Sequence, residues 1–191
     1  SAKTARVKDG GAAAAARAEI LDLKQPDVAI SAWKDRVDLS ADGTANCYIV
    51  SAKGEYRFKA DEGNSGTASA ATVSDWMWAD RAGLLSDVLL ENDGYVTFSA
   101  SELKGNSIIA GLKTNLNPTI LWSSHIWLTD DPTEHACYGL DDTFEIMDRN
   151  LGATSTTVDD VESYGLYYQF ARKDPFPGKT YYLGGVTEKT Q

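Results

Sequence analysis

Histidine, cysteine and proline are scarce in this chain of 191 residues, which holds two His, two Cys and five Pro. The thiols, Cys47 and Cys137, lie far apart and outside any CxxC pair, which excludes a thiolate zinc centre. Either they pair once, closing a loop of roughly 90 residues that chain-entropy reasoning values at about 4 kcal/mol, or each is a separate, small apolar side chain. Positive charge is also short, with 18 Lys and Arg against 28 Asp and Glu and a net charge of −10. Such a chain is repelled by phosphate backbones, and no basic cluster offsets this, so nucleic acid is excluded as a partner. No apolar run approaches the ~20 residues that span a bilayer. The GxSxG, HExxH, P-loop and GxGxxG signatures are missing, so no catalytic residues and no cofactor are expected. The chain opens on Ser1 rather than Met, and a mature form or excised fragment is expected.

What is present is a β-rich pattern punctuated by turn residues. "NCYIVSAKGEYRFKA" reads as a hairpin, with a strand from Cys47 to Ser51, a turn at Lys53 and Gly54, and alternating Tyr56 and Phe58. "DWMWAD" supplies an aromatic strand. Strands at Asp87–Leu90 and Tyr95–Ser99 flank an Asn-Asp-Gly turn, and two more flank Asn117 and Pro118. Strands at intervals of about 8–12 residues argue for a mainly β chain built as an antiparallel β-sandwich. Cys47, Ile49, Val96, Phe98, Ile108, Trp122 and Ile126 are its expected core.

The ends are less regular. Residues 1–40, with "AAAAARAEILDLK", read as a helix or as two strands around Asp-Gly-Gly, the strand pair being preferred as the end of a preceding domain. The sandwich is expected over 41–131. A less regular α+β segment follows over 132–191, docked on the sandwich because Leu151, Leu166, Tyr167, Phe170 and Phe176 are too apolar to stay in water. "DVESYGLYYQFARK" within it reads as a helix, capped by Asp159 or Asp160 and ended by "DPFPG".

Four ordered blocks carry a resemblance: "ANCYIVSAKGEYRFKA", "DGYVTFSASELKGNSIIAGLK", "TILWSSHIWLTDDP" and "MDRNLGATS" with "YGLYYQFARKDPFPG". Over roughly residues 45 to 180 they resemble secreted surface proteins of Bacteroidetes-type gut bacteria, of the fimbrillin-like or cell-adhesion kind. The last block is similar to the start of the major paralogous (FISUMP-type) domain, a module distantly similar to C-type-lectin-like folds. The resemblance implies an exported, lipid-anchored, modular lipoprotein of the outer cell surface. It also implies a non-enzymatic adhesion or structural role, partnered by a glycan or by a host or bacterial surface protein.

Candidate site residues follow from chemistry. Aromatic faces stack on sugar rings, and "DWMWAD" and "YGLYYQF" concentrate them, which singles out Trp76, Trp78, Tyr167 and Tyr168 for a carbohydrate-binding module. Asp148, Arg149 and Asn150 in "MDRNLGATS" could bond sugar hydroxyls. Alternatively, the Arg fork could organise a structural polar network. His125 in "ILWSSHIWLTDDP" is expected to be a buried structural residue. The rival is a metal site with His135 and one of Asp130, Asp131 or Glu134, and metal is not expected. The acidic pairs "TDDP", "LDDT" and "VDDVE" read as solvated turns, with a surface calcium as the alternative; no EF-hand pattern occurs.

Overall fold

The structure, a computed structural model, describes residues 36–61, 68–113, 119–135, 145–176 and 187–188. The helix or strand pair expected before residue 36 lies outside them, as do Cys137, Asp141 and Asp142. The chain is mainly β. In chain order the strands are β1 Val37–Asp38, β2 Cys47–Val50, β3 Gly54–Lys59, β4 Val73–Ala79, β5 Leu85–Leu90, β6 Tyr95–Ala100 and β7 Gly105–Lys113. They continue with β8 Thr119–Leu128, β9 Thr133–His135, β10 Glu145–Met147, β11 Tyr167–Tyr168, β12 Pro175–Phe176 and β13 Thr187–Glu188.

Two sheets make the body. One runs β1-β3-β6-β5, the other β13-β4-β7-β8-β2, and β9/β10 and β11/β12 form separate ribbons. Most neighbours are antiparallel, but β1 pairs β3 and β2 pairs β8 in parallel, so the sheets are mixed rather than purely antiparallel. The expected hairpin from Cys47 to Phe58 is corrected. β2 and β3 belong to different sheets, and the turn between them carries the chain across the sandwich. The core explains this crossing. Tyr48 and Val50 enter it from one sheet, and Tyr56 and Phe58 from the other, with the Tyr48 and Phe58 rings 4.9 Å apart.

Of the expected core, Val96, Phe98, Ile108, Trp122 and Ile126 are buried. Cys47 is only half-buried and Ile49 is 42% exposed, because β2 has the opposite phase and points Tyr48 and Val50 inward. Trp122 meets Phe58 edge-on at 6.1 Å and donates its indole N–H to Ser69 Oγ at 2.6 Å. These are the contacts of a buried aromatic whose polar edge is satisfied.

The central strands β7 and β8 are buried on both faces over most of their length. Trp122, Ser124, Ile126 and Leu128 alternate with Ser123, His125 and Trp127, all of them buried. The first set meets the opposite sheet, except that Ser124 is not one of its apolar members. The second set is covered by residues after β10. Trp127 Nε1 donates to Ala153 O at 3.1 Å, and Asn106 Nδ2 donates to Gly152 O at 2.9 Å. Ser123 Oγ donates to Asp174 at 2.6 Å, and Lys173 donates to Ser123 O at 2.6 Å.

That covering segment departs from the expected helix. Only a 3-10 turn forms, at Val161–Ser163, with Asp160 as its N-cap accepting from Glu162 N. Gly165 then takes φ +71, where a Cβ would lie 2.6 Å from Leu151 O, and the chain continues into β11 instead of a second helical turn. The described residues contain no α-helix. Burial is also distributed otherwise than expected. Gly152 and Ala153 are buried and Leu151 and Leu166 half-buried, while Tyr167, Phe170 and Phe176 stay exposed.

Candidate functional site

Two polar constellations arise where the covering segment meets the sheet. The first crosses four adjacent strands. Asp80, just beyond β4, accepts from Asn106 Nδ2 on β7 at 2.8 Å. Asn106 Oδ1 lies 2.9 Å from His125 Nε2 on β8, and His125 Nδ1 lies 3.2 Å from Cys47 Sγ on β2. Tyr168 on β11 brings its hydroxyl to 3.5 Å from the same Nδ1.

Hydrogen-bond logic fixes the protons. Asn106 Nδ2 sits between two acceptors, Asp80 Oδ2 and Gly152 O. Its Oδ1 therefore accepts from His125, whose proton is on Nε2. Nδ1 is left with a bare lone pair that receives the Cys47 S–H. Burial holds this pair neutral, pulling His125 down to about 3 and pushing Cys47 up to about 12. It also raises Tyr168 and Asp80 above their ordinary values. Asp80 Oδ1 is buried without a hydrogen-bond partner. Gly152 is required beside this row. At φ +84, a Cβ there would lie 2.5 Å from Leu166 and 3.2 Å from Asn106 Oδ1.

His125 is thus 2% exposed, as expected for a structural residue, but its partners are polar and come from distant strands. Cys47 is a free thiol. The described residues hold no group of three His, Cys, Asp or Glu placed to bind a metal ion.

The second constellation is an open cleft of about 550 Å³. Met147, Asp148, Arg149 and Asn150 form one wall, and Ser155 to Asp159 with Ser163 and Tyr164 form the other. Arg149 braces its wall, its side chain only 5% exposed. Its fork engages both Asp148 oxygens, through Nε to Oδ1 and through the second terminal nitrogen to Oδ2 at 2.8 Å. Its other terminal nitrogen donates to Asp130 at 2.7 Å and Thr129 at 3.0 Å. Arg149, joined by Lys104, holds the Asp130 carboxyl well below the usual range, and Arg149 lowers Asp148 as well. Asn150 Nδ2 donates to Ser163 O at 3.3 Å, which ties the two walls and leaves Oδ1 as an acceptor. At the rim, Asp159 adopts φ +66, an uncommon conformation for a residue with a Cβ.

The seven candidate residues therefore fall in three places. Asp148, Arg149 and Asn150 share the cleft, and Tyr164 joins them from the same "YGLYYQF" stretch. Trp76 and Trp78 are half-buried on β4, on either side of a register shift. Trp76 packs against the core and lines a separate recess of about 90 Å³ with Arg81 and Leu84. Tyr167 and Tyr168 are exposed at 62% and 39% on β11, and Tyr168 reaches the His125 row. Ser155, Thr156, Thr157 and Ser163 also line the cleft, and as short hydroxyl residues they carry no signal of their own in the sequence.

Compared with known proteins, the chain matches no family model, no curated protein and no solved structure.

Proposed function

We propose that this chain is a non-catalytic adhesion module of an exported, cell-surface protein, and that it recognises a hydroxyl-rich, glycan-type ligand in the cleft between Asp148–Asn150 and Ser155–Tyr164. The observation that supports this reading is the chemistry of the lining. Asp148, Asp159 and the Asn150 carbonyl offer acceptors; Ser155, Thr156, Thr157 and Ser163 offer hydroxyls; Tyr164, 42% exposed, offers an aromatic ring. Sugars are bound by such fixed acceptors beside an aromatic face. Four of the five N–H groups of the Arg149 fork are spent on Asp148, Asp130 and Thr129, so its role is to hold the wall in shape.

The resemblance of four sequence blocks to fimbrillin-like surface proteins supports the adhesion role and the extracellular setting. A glycan array on the purified chain tests the recognition. Binding to at least one glycan class, weakened tenfold or more by Asn150→Ala and by Tyr164→Ala, is expected. An array without binders, or variants that bind as well as the parent, refutes the cleft as the recognition surface.

A further inference from the structure

We propose that Cys47 is an acyl-accepting thiol, with His125 as its general base, Asn106 as the residue that positions the imidazole, and Tyr168 as the donor to the oxyanion. Four observations join here. The Cys47 Sγ lies 3.2 Å from a histidine nitrogen that carries no proton, because Asn106 Oδ1 claims the Nε2–H at 2.9 Å. Asn106 is itself locked by Asp80 and the Gly152 carbonyl, so offering the amide N–H to the imidazole instead, as the other tautomer requires, would break two further hydrogen bonds. A nucleophile, a base in hydrogen-bond reach and a third group orienting the base is the arrangement that activates a weak nucleophile.

The third observation is a surplus of donors. Nδ1 has one lone pair, yet both the thiol and the Tyr168 hydroxyl, at 3.5 Å, point to it. When the thiol uses the lone pair, the phenol remains as a donor for an oxygen gaining charge beside Sγ. Fourth, Cys47 is half-buried on β2, the outermost strand of its sheet among the described residues, so it is not sealed inside the core.

The chemistry is a transfer from a small ester or thioester. Sγ bonds the acyl carbon while the S–H proton moves to Nδ1. The carbonyl oxygen takes up the electron pair and is met by the Tyr168 hydroxyl. The carbonyl then re-forms, the bond to the leaving alkoxide or thiolate breaks, and His125 returns the proton to the leaving group. The products are an S-acyl cysteine and a neutral alcohol or thiol. Nothing is oxidised or reduced.

The neutral pair is the reacting species, and between the low His125 and high Cys47 values its population does not change with pH. That separates assisted attack from the ordinary thiolate route. The full chain is incubated with p-nitrophenyl acetate from pH 5 to 9, and acetylation of Cys47 is followed by peptide mass spectrometry. The expected result is acetylation at a rate that stays within about threefold across this range. His125→Gln should slow it at least tenfold at pH 7, and Tyr168→Phe several-fold. A rate rising tenfold per pH unit overturns the proposal, because free thiolate would then be the nucleophile. So does an unmodified Cys47 under conditions that fully acetylate N-acetylcysteine at the same pH. The parent chain's pH profile decides even if the His125 variant fails to fold.

Discussion

Trp127 and Ala153 pin the covering segment to the sheet: the indole N–H of the first donates to the carbonyl of the second at 3.1 Å, and both residues are 0% exposed. A carbonyl so deeply buried has no water to turn to. Trp127→Phe keeps an aromatic ring in place but leaves Ala153 O without this donor, at a cost of roughly 1–3 kcal/mol before any packing loss. The urea midpoint of the variant should fall accordingly. A midpoint equal to the parent's would mean that the segment is not anchored there.

His125 makes stability depend on acid. Its value is about 3 in the folded chain against 6.5 ordinarily, so below pH 6.5 the unfolded chain binds a proton that the folded chain refuses. The contribution is present in full above 6.5 and is lost as pH falls toward 3, with a slope of at most about 1.4 kcal/mol per pH unit. Urea titrations at pH 6.5, 5.5 and 4.5 should show this decline in the parent. The difference between parent and His125→Asn should shrink over the same range. A constant difference would show that the buried imidazole does not titrate on unfolding.

Arg149→Lys should destabilise the chain although charge is kept. An ammonium cannot span both Asp148 oxygens and still reach Asp130 and Thr129, as the guanidinium does. A loss of about 1–2 kcal/mol in thermal or urea unfolding is expected, given that Asp130 is largely exposed and its pairing screened. The same variant should loosen the cleft wall and weaken any ligand found there. Unchanged stability would mean that the fork contributes nothing beyond its charge.

How far the sequence could be read depended on what each stretch contains. In β8, a period of two puts Trp122, Ile126 and Leu128 on one face and Ser123 and His125 on the other, so the placement of Trp122 and Ile126 in the core is legible. In β2, "CYIV" is apolar at every position, and a period of two has no visible phase. Ile49 was therefore placed inside when Tyr48 and Val50 occupy the core. "DVESYGLYYQFARK" has helical propensity at most positions, but the left-handed Gly165 and its closeness to Leu151 O decide against it. The His125 row was illegible for another reason. Its partners lie 19 and 78 residues away, on strands whose order in the sheet no local pattern reveals.

The parallel pairing of β2 with β8 also sets an order of events. Cys47 meets a partner 78 residues further along the chain, whereas β7 meets β8 across a short connection. Loop-closure entropy favours the near contact first, so β4, β7 and β8 are expected to assemble before β2 is added. During that interval β8 presents an unsatisfied row of amides and carbonyls on the side that β2 will fill. A second chain could pair with that row as well as β2 does. Refolding yield should therefore fall with protein concentration, and the competition would be lost or won at the late pairing of two strands 78 residues apart.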